Sequence, residues 1–142
     1  MAQTASGSFL YVSVGTPATN DLAGVSALTW AEVGLIEEIQ PIEETREEVS
    51  VTLLSGTVIR LAGAWDKGII DMTVLKDGTD AGHAIAKAAF RANTETVYCK
   101  LTTPDGDEQY SSGQVMSFTQ VGLNANEIMR NGIAVSKNAI YE

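Results

Sequence analysis

Residues 69–93 read IIDMTVLKDGTDAGHAIAKAAFRAN and place a strand directly before a helix. Ile70, Met72 and Val74 alternate with polar residues, which is the period of a half-buried strand. Asp77-Gly78 then turns the chain. A clean strand that leads through a tight turn into the one convincing helix of the chain predicts a mainly β domain with a single flanking helix.

The helix is expected over about residues 79–93, with Thr79 or Asp80 as its N-cap and Asn93 as its end. Its apolar side is mostly alanine, which would let the helix approach a sheet closely. His83, the only histidine, is expected on the outer face as an ordinary surface residue. The residues that recur at helical spacing and form the predicted apolar stripe are Ala81, Ala84, Ile85, Ala88 and Ala92.

Other stretches with strand character lie on both sides of this segment. They are residues 9–14, 32–40, 49–54, 58–61, 95–103, 108–121 and 127–137. No repeat of solenoid length occurs. We therefore predict one domain over residues 1–142, an antiparallel β-sandwich or open barrel of about six or seven strands flanked by the helix.

Two segments stand apart from this pattern. Residues 1–31 are predicted to hold an extended N-terminal arm and the first strand, and 15–30 read as a loop by their Gly, Pro, Asn and Asp content. A long loop near a terminus suggests an arm that gains its order from a neighbour. Residues 41–68 are predicted as a long loop with an acidic first half and short extended pieces in the second.

Composition excludes several classes of function. The chain has 142 residues, of which 44% are hydrophobic and 19% charged, which fits a folded domain. Eighteen acidic residues face nine scattered basic ones, giving a net charge of −9, so no basic stripe is available to bind nucleic acid. No apolar run approaches the roughly 20 residues of a spanning helix, and the first residues lack the basic region of a secretory signal. The single cysteine, Cys99, fits cytosolic synthesis and a buried apolar position.

The sequence contains no recognisable set of catalytic residues. No nucleophile elbow, P-loop or dinucleotide fingerprint is present, and one histidine without a nearby cysteine does not make a familiar zinc site. The DGTD and DGDE stretches at 77–80 and 105–108 do not continue into a calcium loop. Trp30 and Trp65 have no positive groove beside them for single-stranded nucleic acid. We therefore expect a non-enzymatic protein with no cofactor and no metal.

The sequence does resemble one family of assembly proteins. The segments LTWAEVGLIEEIQPIEETREEVSVTLLSG (28–56) and GAWDKGIIDMTVLKDGTDAGHAIAKAAF (63–90) look like the major tail tube proteins of long-tailed bacteriophages. Members commonly show a W-x-x-V-G-x-I entry, then a segment like Glu44 to Thr52, a Gly-rich apolar stretch, a strand with a D-x-T-D helix start, and a P-D-G hairpin. The W-x-x-V-G-x-I positions here are Trp30, Val33, Gly34 and Ile36, and the similarity runs over about residues 8–140.

This resemblance implies a structural virion protein that works by self-assembly. Six subunits would close a ring, and rings would stack into a hollow tail tube whose inner β-barrel conducts double-stranded DNA without binding it. The implied partners are further copies, the tape measure protein, the tail terminator and the baseplate or tip proteins, in the virion and, during assembly, in the host cytoplasm, with no membrane. Carboxylates on the lumen wall would repel DNA.

Alternation and family position together nominate residues for both surfaces. The lumen candidates are Glu38, Asp71, Thr73, Ser117 and Thr119. The loop over 41–68 matches the family's loop between rings. The candidates for that contact are Glu43, Glu44, Arg46, Glu47 and Glu48, with Arg130 and Lys137 as basic groups for them to meet on the next ring.

Other functions remain open at this point. The same fold serves a tail terminator, which would form rings without polymerising, or the tube of a contractile injection system or tailocin. A bacterial β-sandwich carbohydrate-binding module is a further alternative, and it would require an aromatic platform and a monomer with sugar affinity. An enzyme is the least favoured class.

Overall fold

The computed structural model describes residues 6–92 and 96–142 of the chain. Asn93, predicted to end the helix, and residues 1–5 of the predicted arm lie outside this part. The described elements are β1 (Phe9–Ser13), α1 (Leu22–Ser26), β2 (Ala31–Val33), β3 (Ile36–Ile39), β4 (Thr45–Thr52), β5 (Val58–Asp66), β6 (Ile69–Leu75), α2 (Ala81–Ala92), β7 (Val97–Thr102), β8 (Glu108–Val121) and β9 (Arg130–Tyr141). The predicted fold class, mainly β with antiparallel pairing and a flanking helix, is confirmed.

Seven strands form one sheet in the order β2-β1-β7-β8-β9-β6-β3, and β4 and β5 form a separate two-stranded sheet. Val33 on one edge strand and Ile36 and Ile39 on the other belong to the same hydrophobic cluster. Edge strand β2 ends at Val33 and the opposite edge strand β3 begins at Ile36. Because only two residues connect them, the two edges lie close together and the sheet is curled into an open barrel. Two register shifts in the pairing of β8 with β9 add to this curvature.

The core lies on one face of the sheet, which we call the inner face. Met72 pairs with Ile133 and Val12 with Cys99 across neighbouring strands, and all four are at most 1% exposed. Fully burying an aliphatic side chain stabilises by about 1.5–3 kcal/mol, so this face holds the body together. The alternation predicted for residues 69–76 and the buried position of Cys99 are both confirmed.

Helix α2 packs against the same core through Ala86 and Ala89. Asp80 is its N-cap, as predicted. Its Oδ1 accepts the backbone N–H of His83 at 3.1 Å, and its Oδ2 accepts the N–H of Gly34 at 3.1 Å, which ties the helix start to the β2–β3 connection. Gly82 permits the close approach, because a Cβ there would lie 2.5 Å from the carbonyl oxygen of Glu32.

The apolar stripe predicted for α2 is wrong except for Ile85, which is half-buried and packs against the core. The alanines expected to face the sheet are exposed: Ala81, Ala84, Ala88 and Ala92. The buried positions are Gly82, His83, Ala86 and Ala89. His83 was expected on the outer face but is 4% exposed, with Nε2 2.8 Å from the carbonyl oxygen of Gly34. Because that oxygen only accepts, Nε2 carries a proton. The other ring nitrogen, Nδ1, is buried and has no hydrogen-bond partner among the described residues.

The predicted N-terminal arm is, from residue 15 onward, folded onto its own sheet. It contains α1, which begins where Asp21 accepts the N–H of Gly24 at 2.9 Å. Val25 of this helix is fully buried, and the Tyr141 hydroxyl donates to Asn20 at 3.0 Å. The segment covers the outer face of the sheet beside β8, so the part of the arm from residue 15 onward packs against its own chain.

The long loop predicted for residues 41–68 is also corrected, because most of it is the hairpin β4–β5. The pairing runs from Thr45 opposite Asp66 to Thr52 opposite Val58, with one bulge near the base. Residues 53–57 make the tip, where Leu53 donates its N–H to Thr57 at 2.8 Å. Charged residues along β4 favoured a loop from sequence alone, although both strands alternate.

Candidate functional site

The hairpin β4–β5 is the most unusual feature of the molecule. Every residue of β4 is exposed, and so is every residue of β5 except Gly63, which is half-buried. Leu54 at the tip is 110% exposed. Eight residues of extended chain span about 25 Å, so the tip stands well clear of the body. An isolated two-stranded hairpin is only marginally stable in water, which makes this segment a candidate for contact with another chain.

The two faces of the hairpin differ in chemistry. Directly opposed residues share a face, so Val49, Val51, Ile59 and Leu61 lie together; we call these four the apolar hairpin face. All four side chains are exposed. The other face is mainly polar, with Val58 near the tip as its exposed apolar residue, and there Glu48 pairs with Arg60 at 2.9 Å. The hairpin is therefore amphipathic, as a strand that covers a core would be, but the described chain provides nothing to cover it.

The base of the hairpin is held by an aromatic and two cations. Trp65 contacts two cations, the Arg46 guanidinium at 5.3 Å from its ring centre and the Lys67 ammonium at 4.5 Å. Arg46 also donates to the carbonyl oxygen of Gly63 at 3.2 Å. Gly68, with φ +89°, sits so close to Glu43 that a Cβ would lie 2.4 Å from the Glu43 carbonyl oxygen. These contacts keep the connections on the two sides of the hairpin adjacent.

The direction of the hairpin follows from the strands that carry it. The N–H of Gln40 donates to the carbonyl of Asp71 at 2.7 Å, so the β3–β6 pair runs on through residues 41–44 and 67–68 into β4–β5. The hairpin leaves the sheet where β8 begins and β9 ends, which we call the hairpin end. The opposite end, where the turn from β8 to β9 lies, we call the turn end.

A cavity of about 660 Å³ opens at the hairpin end of the inner face. Its floor is mainly apolar and is formed by Ile42, Ile70, Cys99, Leu101 and Ile140, with Lys137 beside them. Its rim is acidic, with Glu44, Asp107, Glu108 and Glu142. Burial raises the pKa of the Cys99 thiol to about 12, so this sulfur is a neutral wall group and not a nucleophile.

The aromatic residues at this end are structural. Burial, together with a hydrogen bond to Glu108, raises the pKa of Tyr110 to about 12. Its ring lies 5.9 Å from that of Trp30, which also faces the Lys100 ammonium at 5.5 Å. Trp65 has its own cation partners at the hairpin base. The two tryptophans therefore form no shared platform of the kind that a carbohydrate-binding module uses.

A second apolar patch lies at the turn end. Val121, Leu123, Ile128 and Met129 are all exposed large hydrophobic residues at or beside the β8–β9 turn. Gly122, with φ +75°, starts the turn in a conformation that favours glycine. Neither this patch nor the cavity was predicted from the sequence, although the uncharged run from 111 to 126 is a signal for the patch.

All five lumen candidates lie on the outer face of the sheet. Glu38 on β3 pairs with Thr73 on β6. Gly132 on β9 pairs with Thr73 on one side and with Thr119 on β8 on the other. Three of the candidates therefore lie in one row across these four strands. Asp71 and Ser117 both pair with Ala134 in the next row. The structure thus brings together two carboxylates and three hydroxyls that alternation had nominated from separate strands.

The predicted contact residues between rings are divided between the two ends. Glu43 and Glu44 lie in the connection before β4, and Arg46, Glu47 and Glu48 lie on β4 itself. Arg130 lies at the turn end, where it pairs with Glu37 at 2.5 Å. Lys137 lines the cavity together with Glu44 at the hairpin end. Of the two basic groups, only Arg130 lies at the end opposite the glutamates.

Residues 6–92 and 96–142 contain no cluster of three or more His, Cys, Asp or Glu residues arranged to hold a metal ion. None of the helices in this part is long and apolar enough to cross a membrane.

No protein-family model and no curated protein matches the chain. Solved structures of the same fold come from contractile injection systems. A chain of an extracellular contractile injection system, PVC sheath/tube terminator in extended state, matches with a TM-score of 0.67 at 10% identity, over 99% of this chain and 95% of that one. A chain of the anti-feeding prophage (AFP) baseplate, 6-fold symmetrised, matches with a TM-score of 0.66 at 10% identity, over 99% and 95%.

A chain of the PVC sheath-tube complex in extended state matches with a TM-score of 0.60 at 13% identity, over 92% of this chain and 85% of that one. At such identities the likeness shows a shared fold. It agrees with the tail-tube resemblance at that level, but the matches come from contractile systems and not specifically from long-tailed phages. All three are structural parts of assembled particles.

Proposed function

We propose that this protein is a tube subunit of a phage tail or of a related contractile injection particle, and that it works by stacking rings of itself head to tail. The observation that carries the proposal is the apolar hairpin face, which projects from the hairpin end and is not covered by any of the described residues of its own chain. A head-to-tail stack is an open, heterologous assembly and grows into a filament. The shared fold with particles of 6-fold and tube architecture supports six subunits per ring.

The energetics favour a neighbouring copy as the cover. The four residues of the apolar hairpin face are between 38% and 62% exposed, so covering them stabilises by about 1 kcal/mol each. A ring presents this face once per subunit, so the gain is repeated around the ring. The acidic hairpin base would then meet the turn end of the next ring, where Arg130 lies, whereas Lys137 lies at the wrong end for that contact.

The outer-face rows of Glu38, Asp71, Thr73, Ser117 and Thr119 are proposed to line the lumen. Small hydroxyls and carboxylates offer DNA no cation, so duplex would pass without counterion release. A ring of six would carry a formal charge of 6 × −9 = −54 from the net charge of one chain. The partners in this proposal are further copies, a tape measure protein, a terminator and baseplate or tip proteins, in the particle and, before assembly, in the cytoplasm of the producing cell.

The test compares two lysine substitutions on adjacent residues of β4. Val51→Lys puts a charge on the apolar hairpin face, and Ser50→Lys puts the same charge on the polar face. Burying an unpaired lysine costs several kcal/mol, so Val51→Lys should raise the critical concentration for tubes by at least about 100-fold, since about 1.4 kcal/mol corresponds to tenfold. Ser50→Lys should change it far less. Negative-stain microscopy and sedimentation measure both.

Two results would overturn the proposal. One is an unsubstituted protein that stays monomeric at millimolar concentration. The other is Val51→Lys protein that forms tubes at the unsubstituted protein's concentration. Circular dichroism of each variant at low concentration checks that the monomer is folded.

A second candidate is a tube terminator, favoured by the match to the PVC sheath/tube terminator. It shares the ring but does not elongate. Isolated rings that never stack, even when fragments of tube are added, would select this function over the first.

A further inference from the structure

Two open features lie at opposite ends of the same strands. Glu108, the first residue of β8, is on the rim of the cavity, and Val121, the last residue of β8, is in the turn-end patch. Fourteen residues of strand separate the two features by about 45 Å. In any stack that repeats one copy along the strand direction, the turn end of one copy must face the hairpin end of the next.

We propose that the β8–β9 turn of one copy seats in the cavity of the next, so that Leu123 and Ile128 cover Ile42, Ile70, Leu101 and Ile140. This contact rests on the head-to-tail stacking proposed above, and it specifies a second pair of surfaces at the junction between copies. The hairpin of one copy reaches past the junction, while the turn of the other copy fills the opening beside the hairpin base. A second cleft lies at the hairpin base and is lined by Arg46, Trp65 and Lys67. Lys137 borders both this cleft and the cavity, so the cavity is continuous with the hairpin base, which supports the proposed contact.

The chemistry of the two features fits. The cavity has an apolar floor behind an acidic rim, which excludes the carboxylate-rich surfaces of this protein. Residues 122–126, the first five of the turn, carry no charge, and Glu127 is the one acidic residue of the turn. Leu123 and Ile128, on either side of it, present exposed apolar side chains. The turn also has backbone carbonyls beyond the last strand pair of Val121 with Arg130, which can accept hydrogen bonds from the Lys137 ammonium. At about 660 Å³ the cavity has room for several side chains.

The hairpin tip is the rival occupant, because Leu53 and Leu54 are also exposed and apolar. The direction in which the hairpin projects argues against the tip as the occupant of the cavity. The tip projects away from the hairpin end of its own copy, so in a polar stack it moves toward the turn end of the next copy. It could enter a cavity only if two copies met hairpin end to hairpin end, and such an arrangement closes a pair without growing.

Cysteine cross-linking in assembled protein separates the two occupants. In a Cys99→Ala background, the pair Leu123→Cys with Ile140→Cys should give a ladder of covalent oligomers when tubes are mildly oxidised. The matched control, Leu54→Cys with Ile140→Cys, keeps the cavity cysteine and moves the other to the hairpin tip, and it should give no ladder. Gln109→Cys, on the exposed rim, replaces Ile140→Cys if that change disturbs folding.

The outcomes distinguish this contact from the proposed function. Tubes that form but give a ladder only with the tip cysteine place the hairpin in the cavity and overturn the proposal. Tubes with no ladder from either cavity position, although both cysteines are free to react in the monomer, overturn it as well. Failure of the unsubstituted protein to form tubes overturns the proposed function itself, and this contact with it.

Discussion

The seven-stranded sheet and the hairpin β4–β5 are built from the same alternation of apolar and polar residues, but only the sheet buries its apolar side. In β6, Ile70, Met72 and Val74 are at most 3% exposed, whereas Val49 and Val51 in β4 are more than half exposed. The sheet curls so that its own strands and α2 cover the inner face. The hairpin leaves the body at one end, and nothing in residues 6–92 and 96–142 covers it in this way.

This difference shows that alternation specifies which side of a strand is to be covered. It does not specify whether the same chain or another chain covers that side. For the sheet the cover is intramolecular and supports folding. For the hairpin the cover is intermolecular in our proposal, so the same type of residue should support assembly. Substitutions can therefore separate stability from assembly by region.

The largest contrast is expected between two isoleucines. Ile133→Ala removes a side chain that is 1% exposed and should lower the free energy of unfolding by about 2–5 kcal/mol. Ile59→Ala, in the hairpin, should lower it by less than about 1 kcal/mol in the monomer while weakening tube formation. Urea unfolding at low protein concentration measures the first effect and sedimentation the second. Equal losses of monomer stability would contradict the contrast.

A smaller effect is expected where the helix is tied to the body. Asp80→Ala removes the acceptor for the N–H groups of both His83 and Gly34 and should destabilise the monomer by about 1–2 kcal/mol. Asp80→Asn keeps an oxygen at this position and should recover part of the loss. Thermal unfolding compares the two variants. If Asp80→Ala left the midpoint unchanged, the cap would not be a support of the body.

The smallest effect is expected for the ion pair on the hairpin. Glu48 and Arg60 have side chains that are 63% and 67% exposed, and exposed pairs contribute only about 0.2–1 kcal/mol. Arg60→Gln should leave monomer unfolding within about 0.5 kcal/mol of the unsubstituted value, and raising the salt concentration should erase even that difference. A larger loss in a denaturant titration would show that the polar face of the hairpin supports the body.

Local pattern predicted much of the body. The alternation of residues 69–76, the helix after them and its Asp80 cap are all short-range signals, and the structure confirms them. The lumen candidates were chosen by alternation, and they do share the outer face because one period of two runs through every strand of the sheet. Their role as lumen residues stays a prediction.

Other features depended on contacts far apart in the sequence. The buried side of α2 was set by Gly82, which passes the backbone of Glu32, and by His83, which meets the carbonyl of Gly34, 49 residues away. A helix of alanines offers little local signal to choose between faces. A loop was predicted for the hairpin because its glutamates indicated exposure to solvent. A strand that is exposed on both faces places its glutamates in solvent equally well.

In the proposed assembly, the edge strands have a consequence for the kinetics of growth. β2 has three residues and β3 has four with a register shift, and edges this short are poor templates for pairing. Two free subunits that collide also rely on hairpins of a kind that is only marginally stable in isolation, whereas a subunit that docks on a finished ring would meet its contacts already in place. Polymerisation of the purified protein should therefore show a lag that preformed tube fragments abolish, so that in a cell the seed, and not the concentration of subunits, decides where a tube starts.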